Sequence, residues 1–360
     1  MIIKTFQYYL LKLFLKRVLI SSMIFLSLIF ILNIFDEISF FKNVDTSIFY
    51  PYLIALLNTP SALFEIFPFI FLISTQFFFI YLIQKGELEV LKVNGLNNFR
   101  IINILVLISF IAGILIITFY YTFSSKMKFM YLDLKNAHSD DNKYLAVITK
   151  NGLWIKDKIN NYNYVVNASK IEDNFLKEVS IFKFNSQFEL IETILSSQID
   201  VSKKNWVIEK PIISKENQNI NLMEDINILT HFDKKKINSL FRNLTSLNII
   251  QLANQRKDLK TLSHSTKEIE LHLYKLFSFP LFLSIMTAFS SIVMLNIKKN
   301  KTIIYHIILG IFLSVLVYYL YYLFNLLGQN EKIPLLLSIF FPLFILSIII
   351  LIGLVKINEK

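Results

Sequence analysis

Cysteine is absent from the 360 residues, which excludes disulfides, thiol nucleophiles and cysteine-ligated metal sites. Charge is sparse. Asp, Glu, Lys and Arg make up 18% of the chain, whereas a soluble domain carries about 25%. Glycine is scarce too. Gly86, Gly95, Gly113, Gly152, Gly310, Gly328 and Gly353 never stand at the separation of a Walker A loop, and no lysine-hydroxyl pair follows one. The chain therefore cannot cradle ATP phosphates by that route. His138, His231, His264, His272 and His306 show no His-Glu-x-x-His or other ligand spacing, and no Gly-x-Ser-x-Gly elbow occurs. No catalytic residues, no metal site and no cofactor of its own are expected.

What fills the chain instead is apolar sequence. Hydrophobic residues reach 54%. Six runs, Val18–Phe35, Ile66–Gln84, Ile101–Ser125, Leu276–Ile297, Thr302–Asn330 and Ile333–Val355, contain no charged residue. Each is near or above the roughly 18 residues needed to cross a bilayer. Six buried helices of a soluble protein would need an implausibly large core. The net charge of +11 could suggest nucleic acid, but much of the excess flanks these runs, so no nucleic-acid partner is expected. The first run lacks a small-residue cleavage site and is followed by more spans, so it reads as a retained helix. Residues 1–17, with Tyr8, Tyr9, Leu11 and Phe14 among Lys4, Lys12, Lys16 and Arg17, read as an interfacial helix or simply a basic anchor.

Lysine and arginine in the short loops set the orientation. Twelve, from Lys4 to Lys360, fall on one side, against Lys42 and Lys332 on the other. Both ends of the chain are then expected in the cytosol. The first outward loop runs from Asp36, Glu37 and Lys42 to Pro60, with Pro60 and Ser61 opening the second span. Glu65 follows just inside it, either at headgroup level or lining a cavity. Tyr318, Tyr319, Tyr321 and Tyr322 near the outer end of span five form either an interfacial belt or part of a substrate cavity.

Residues 126–270 change character, with more charge and a period of two. Tyr144–Thr149 and Leu153–Lys156 flank Asn151-Gly152, a hairpin signal. Tyr162–Val166, Val179–Phe184, Phe188–Ile194, Gln198–Val201 and Trp206–Glu209 read as further strands, with Ser202–Asn205 a turn. The pattern suggests a sandwich or jelly roll outside the cytosol. Beyond Thr230 the chain turns helical on its way back to the membrane. The resulting division is 1–125, 126–270 and 271–360. The fold class is an α-helical polytopic membrane protein of six transmembrane helices with an inserted all-β periplasmic, jelly-roll-like domain.

The polar stretch Gln84–Arg100, QKGELEVLKVNGLNNFR, is pinned between two apolar runs. Leu88, Leu91 and Leu96 recur at near-helical spacing, and Gly95 stands where a helix C-cap is expected. A short amphipathic helix within 85–98 either tidies the connection or docks into a groove on a partner.

Gly-Glu-Leu-x-Val-Leu-x-x-x-Gly at Gly86–Gly95 resembles the cytosolic loop of the lipopolysaccharide-export permeases LptF and LptG, roughly Ser-Glu-Leu-x-x-x-x-x-x-Gly in that family. Glu87 takes the acidic position, Gly95 the glycine, and Gly86 replaces the small hydroxyl. Gly152–Asp157 after Asn151 is similar to a Gly-Leu-Trp-x-Lys-Asp element of the LptG branch, and Lys275 with Pro280 matches a basic-x-x-x-x-Pro pattern. Three spans, a β-rich insert and three spans is the family's order.

The resemblance implies a permease subunit of an ABC transporter that extracts lipopolysaccharide from the bacterial inner membrane. A homologous six-span permease would pair with it, a cytosolic ATPase dimer would bind ATP beneath, and a periplasmic jelly-roll bridge would receive the lipid. Glu87, Leu88, Leu91 and Gly95 would couple to the ATPase. Asn33, Asp36, Lys42, Glu65, Lys275 and Tyr318 would flank the lipid path. Asn33 stands where LptG relatives often carry a lysine, and Lys42 is the nearest base. Two other functions fit less of the pattern. A lipoprotein or other lipid exporter of ABC type usually carries its large domain after the first span. A polytopic enzyme acting on lipids would have only Asp36, Glu37 and Glu65 near the outer face.

Overall fold

The computed structural model describes residues 5–42, 46–136, 138, 153–159, 161–172, 174–215, 218–221, 224–234, 237, 243–261, 265–296 and 303–358. The chain divides into two compact units. One joins Met1–Tyr131 to Lys267–Lys360, and the other is Leu132–Thr266.

The first unit is helical. Among the described residues six helices are long and apolar enough to cross a membrane. They are α1 (Thr5–Phe41), α2 (Tyr50–Gln84), a third built from α4 (Asn98–Leu115) and its continuation, and three more after the insert. Between α2 and α4 lies the short α3 (Glu87–Val93). After α4 the chain passes through a π-helical stretch, Ile116–Tyr120, into α5 (Tyr121–Asn136). Past the β unit and its helix α6 (Ile249–Thr261) come α7 (Lys267–Leu295), α8 (Ile303–Gln329) and α9 (Leu335–Asn358).

The interfacial segment and the first span are one uninterrupted helix, α1. The second span begins earlier than the sequence pattern suggests. Pro51, not Pro60, occupies the first turn of α2, where its missing N–H costs nothing. Pro60 and Pro68 lie inside the helix. Neighbouring helices can compensate the lost backbone bonds of such prolines.

α2 and α7 are the inner helices, each with two thirds of its apolar window buried, whereas α1 and α8 are largely open. Polar groups inside this unit are satisfied locally or across helices, as hydrocarbon demands. Ser74 and Thr75 each donate to the carbonyl four residues back, both at 2.7 Å. Ser109 meets Thr287 at 2.8 Å, tying α4 to α7, and Ser290 donates to the Leu72 carbonyl at 2.8 Å, tying α7 to α2. Gly113 lets α4 and α7 touch: a Cβ there would sit 2.7 Å from the Cα of Pro280.

The second unit is the inserted β domain, and it is not all-β as the sequence pattern suggests, since α6 follows the sheet within it. Its strands, as described, are β1 (Leu153–Ile159), β2 (Tyr162–Glu172), β3 (Phe175–Phe184), β4 (Leu190–Asp200), β5 (Asn205–Ile208), β6 (Ile212–Lys215), β7 (Gln218–Asn221) and β8 (Ile226–Leu229). All pairings are antiparallel, in the order β1-β2-β3-β4-β5-β8, with β6 on β4 and β7 on β6. The segments Phe188–Ile194 and Gln198–Val201, read from the pattern as two strands, are one. β4 pairs with β3 from Leu190↔Phe184 to Asp200↔Phe175, so cross-strand pairing carries it through the polar residues between. β6, β7 and β8 carried no strand signal in the sequence. The hairpin expected at Asn151-Gly152, with Tyr144–Thr149, lies outside the described residues. Inward residues Leu153, Ile155, Val166, Ile181, Ile199 and Ile208 form the core around Trp206. The indole Nε1 of Trp206 donates to the Phe232 carbonyl at 2.8 Å.

Candidate functional site

Two places bring sequence-singled residues together. The first is the connection from α2 through α3 to α4. Gly86 adopts φ +69°, directly after Lys85, the C-cap of α2, and is the N-cap of α3, to which it offers no side-chain cap. Its amide donates to the Ile83 carbonyl at 3.1 Å. At the other end Gly95 adopts φ +84°. The amide of Leu96 bonds the Leu91 carbonyl at 3.1 Å and that of Gly95 bonds Lys92 at 3.0 Å. This is the pair of bonds that defines a Schellman stop, and it requires the left-handed residue at position 95. The next helix restarts at once, with Asn97 Oδ1 accepting from the Arg100 amide at 3.0 Å.

The side chains of α3 divide sharply. Leu88 and Leu96 are buried, and Leu91 packs with them, all in one cluster with Leu10, Phe14, Phe78 and Leu82. Glu87 accepts a hydrogen bond from the Tyr9 hydroxyl of α1. Glu87, Leu88 and Leu91 thus hold α3 against its own helical unit. The outward apolar residues are Val90, 60% exposed, and Val93, 88% exposed, with Glu89 and Lys92 beside them. The leucine spacing in the sequence marked the seam to the chain itself. The two valines carry the open face, and one signal for them was available: they lie between the leucines on the opposite side of a 3.6-residue period.

The second place is a polar cluster within the helical unit. Lys128 of α5 donates to Asn58 Oδ1 at 2.7 Å, Asn58 donates to Asn33 Oδ1 at 3.3 Å, and Asn33 donates to the Thr59 hydroxyl at 3.1 Å. Lys128 also lies 4.6 Å from the centre of the Tyr131 ring, and Tyr131 donates to the buried Glu37 at 3.0 Å. Glu65 of α2 has Lys128 and Lys275 as electrostatic neighbours, and Tyr318 of α8 has Glu65. Tyr121 and His272 meet at 2.9 Å, and Lys275 is the charged neighbour of His272. Of the six residues expected on the lipid path, Asn33, Glu65, Lys275 and Tyr318 therefore belong to one electrostatic neighbourhood. Asp36 and Lys42 stand apart, exposed at the end of α1.

Lys128, Asn58 and His272 are members whose part in the cluster sequence reasoning missed. Lys128 lies just beyond the apolar run that ends at Ser125, so it read as the start of the soluble insert. The helix continues through it because the π-helical stretch adds a residue without ending the hydrogen-bonded spiral. That stretch sets Tyr120 to donate to the Pro60 carbonyl at 3.1 Å, and next to it Tyr121 to reach His272.

Arranged this way, the cluster holds two ammonium groups and several hydrogen-bond donors within membrane-spanning helices, a setting suited to binding anionic oxygens. The loop offers a short rigid helix with a small apolar face, suited to docking.

Comparison with protein families gives one match over most of the chain. The family described as lipopolysaccharide export system permease LptF/LptG matches residues 8–356. Comparison with curated proteins gives no match.

Proposed function

The chain belongs to the LptF/LptG family of lipopolysaccharide export permeases, and from that premise we propose that it is one permease subunit of an ABC transporter that extracts lipopolysaccharide from the inner membrane. The observation that carries this is the reach of the match: 8–356 takes in all six spans and the inserted β domain. It is a multi-pass membrane protein of a transport family, and the work of transport comes from ATP hydrolysis on a separate cytosolic ATPase dimer.

In this reading both chain ends and α3 lie in the cytosol, following the charge bias of the loops, and the β domain lies in the periplasm. The Val90–Val93 face of α3 docks in a groove of the ATPase. Glu87, Leu88, Leu91 and Gly95 make the docked helix rigid, so that motion of the ATPase is passed to α2 and α4, its two direct extensions. The Lys128–Glu65–Lys275 neighbourhood, with Asn33 and Tyr318, receives phosphate and sugar oxygens of the lipid. The open flanks of α1 and α8 face a homologous six-span permease and the lipid it shares. A jelly-roll bridge protein in the periplasm continues the sheet of the β domain by edge pairing and takes the lipid onward. The closer likeness is to LptG, on the Asn151–Asp157 element.

The experiment is affinity purification of the tagged chain from its native membrane. Stoichiometric recovery of an ATPase and a second six-span protein supports the reading. Recovery of the chain alone, under conditions in which it stays folded, contradicts it.

A further inference from the structure

At the opposite end of the third span from Lys128, a groove of about 250 Å³ opens between α4, α7 and α9. Its walls are Ile102 and Val106 of α4, Ala288 of α7, and Ile350 and Leu354 of α9. Three polar side chains also line it. Two are already bonded: Ser284 meets the carbonyls of Pro280 at 2.9 Å and of Val106 on α4 at 3.3 Å, and Ser347 donates to that of Leu343 at 2.8 Å. Asn103 has no hydrogen-bond partner among the described residues, although it stands exposed on a membrane-spanning helix. An exposed amide this near the end of a spanning helix is free to bond a polar group of a lipid.

Arg100 is exposed three residues before Asn103, on the neighbouring part of the same helix surface, and among the described residues only its Nη1 is engaged, donating to the Gly95 carbonyl at 3.4 Å. The rise of a helix puts it about 4.5 Å closer to the membrane edge. Reading inward from that edge gives a guanidinium, then an unpaired amide, then an apolar trough. This is the depth order of a glycerophospholipid: phosphate, ester carbonyls, acyl chain.

We propose that this groove is a binding site for one acyl chain of an anionic glycerophospholipid, with its phosphate on Arg100 and an ester carbonyl on Asn103. The groove, about 250 Å³ in volume, takes a stretch of one acyl chain. The site is separate from the polar cluster around Lys128, which lies about 37 Å further along the same helical span. It acts as a fixed wedge of lipid between the helix that leaves α3 and the two helices that pack on it, and does not depend on the transport reading.

The test uses the full chain in phosphatidylethanolamine vesicles doped with phosphatidylglycerol bearing a diazirine on its acyl chain. After photolysis, adducts are mapped by mass spectrometry. They should concentrate on residues 99–106 and 347–354, about tenfold over the lipid-facing stretch 19–28 of α1. Ala288→Phe fills the groove from its floor, and Leu351→Trp fills it from its exposed rim, where folding is not at risk. Either should cut groove labelling about tenfold. Arg100→Gln should reduce labelling severalfold for the anionic probe and by less for a phosphatidylcholine diazirine probe, whose choline cation already offsets its phosphate. Labelling no greater than on α1, equal labelling by the two probes in the unsubstituted chain, or full labelling in the Leu351→Trp variant overturns the proposal.

Discussion

Replacing Val93 by Asp separates the two faces of α3. Val93 is 88% exposed and Val90 is 60% exposed, so neither supports the fold, and an exposed substitution there changes stability by no more than about 0.5 kcal/mol. Covering both by a partner is another matter. Taking about 1.5 kcal/mol for a fully buried valine and scaling by those exposed fractions gives about 1.3 and 0.9 kcal/mol, together about 2.2 kcal/mol. The Val93 share alone is roughly an eightfold effect on affinity before the desolvation of the new carboxylate is added. Leu88 behaves in the opposite way. It is 9% exposed in a cluster with Leu82 and Phe78, and Leu88→Ala costs about 2–5 kcal/mol of fold stability. The assay is paired: thermal unfolding of each purified variant, and titration of the ATPase onto it in nanodiscs. Val93→Asp should leave the melting temperature unchanged and weaken binding by at least about eightfold; Leu88→Ala should lower the melting temperature. Normal ATPase binding by Val93→Asp, with a correctly folded chain, refutes the docking of this face.

Three further outcomes follow from the geometry. Gly95→Val forces a branched side chain into the left-handed region, which costs about 1–2 kcal/mol, and should uncouple ATP hydrolysis from lipid extraction while the chain still inserts, measured in reconstituted complexes. Lys128→Met leaves Asn58 without its 2.7 Å donor and should cost about 1–3 kcal/mol, seen as a lower melting temperature. In the β domain, burial pulls the Lys183 ammonium down, but its 2.6 Å bond to Glu192 and nearby tyrosines outweigh this and raise it above 10.5. A raised value in the folded state means the pair's stabilisation is complete below that pH and fades above it. Glu192→Gln should flatten the alkaline limb of the unfolding curve followed by near-ultraviolet circular dichroism.

Much of the architecture was legible because hydrocarbon is an unforgiving solvent. Apolar runs such as Ile66–Gln84 and Leu276–Ile297 admit few alternatives to a spanning helix. The ends of those helices were not legible, since α2 extends back to Tyr50 through residues that alone carry no strong signal, held by packing against α1. In the β domain the alternating segments were visible, but β6 to β8 are four-residue strands whose pairing depends on β4 and β5, and no local pattern encodes that. At the candidate sites, Gly95 was readable because its role is conformational. The inward turn of Leu88 and Leu91 was not, because spacing shows that residues share a face without showing what the face meets. The polar cluster was half readable: single polar residues such as Glu65 and Lys275 stand out within or beside apolar sequence, while Lys128 was hidden by the helix running past the end of its apolar run.

The central claim is ATP-driven movement of lipopolysaccharide by a complex containing this chain. It is tested most directly by reconstituting the chain with its ATPase and second permease in proteoliposomes loaded with lipopolysaccharide, and measuring crosslinking of the lipid to an added soluble jelly-roll acceptor. The account expects acceptor adducts that accumulate with ATP, and that fall to the ATP-free level when Val93→Asp replaces the native chain. Accumulation of adducts at the same rate without ATP, or no adducts from an assembled complex that hydrolyses ATP, would contradict it.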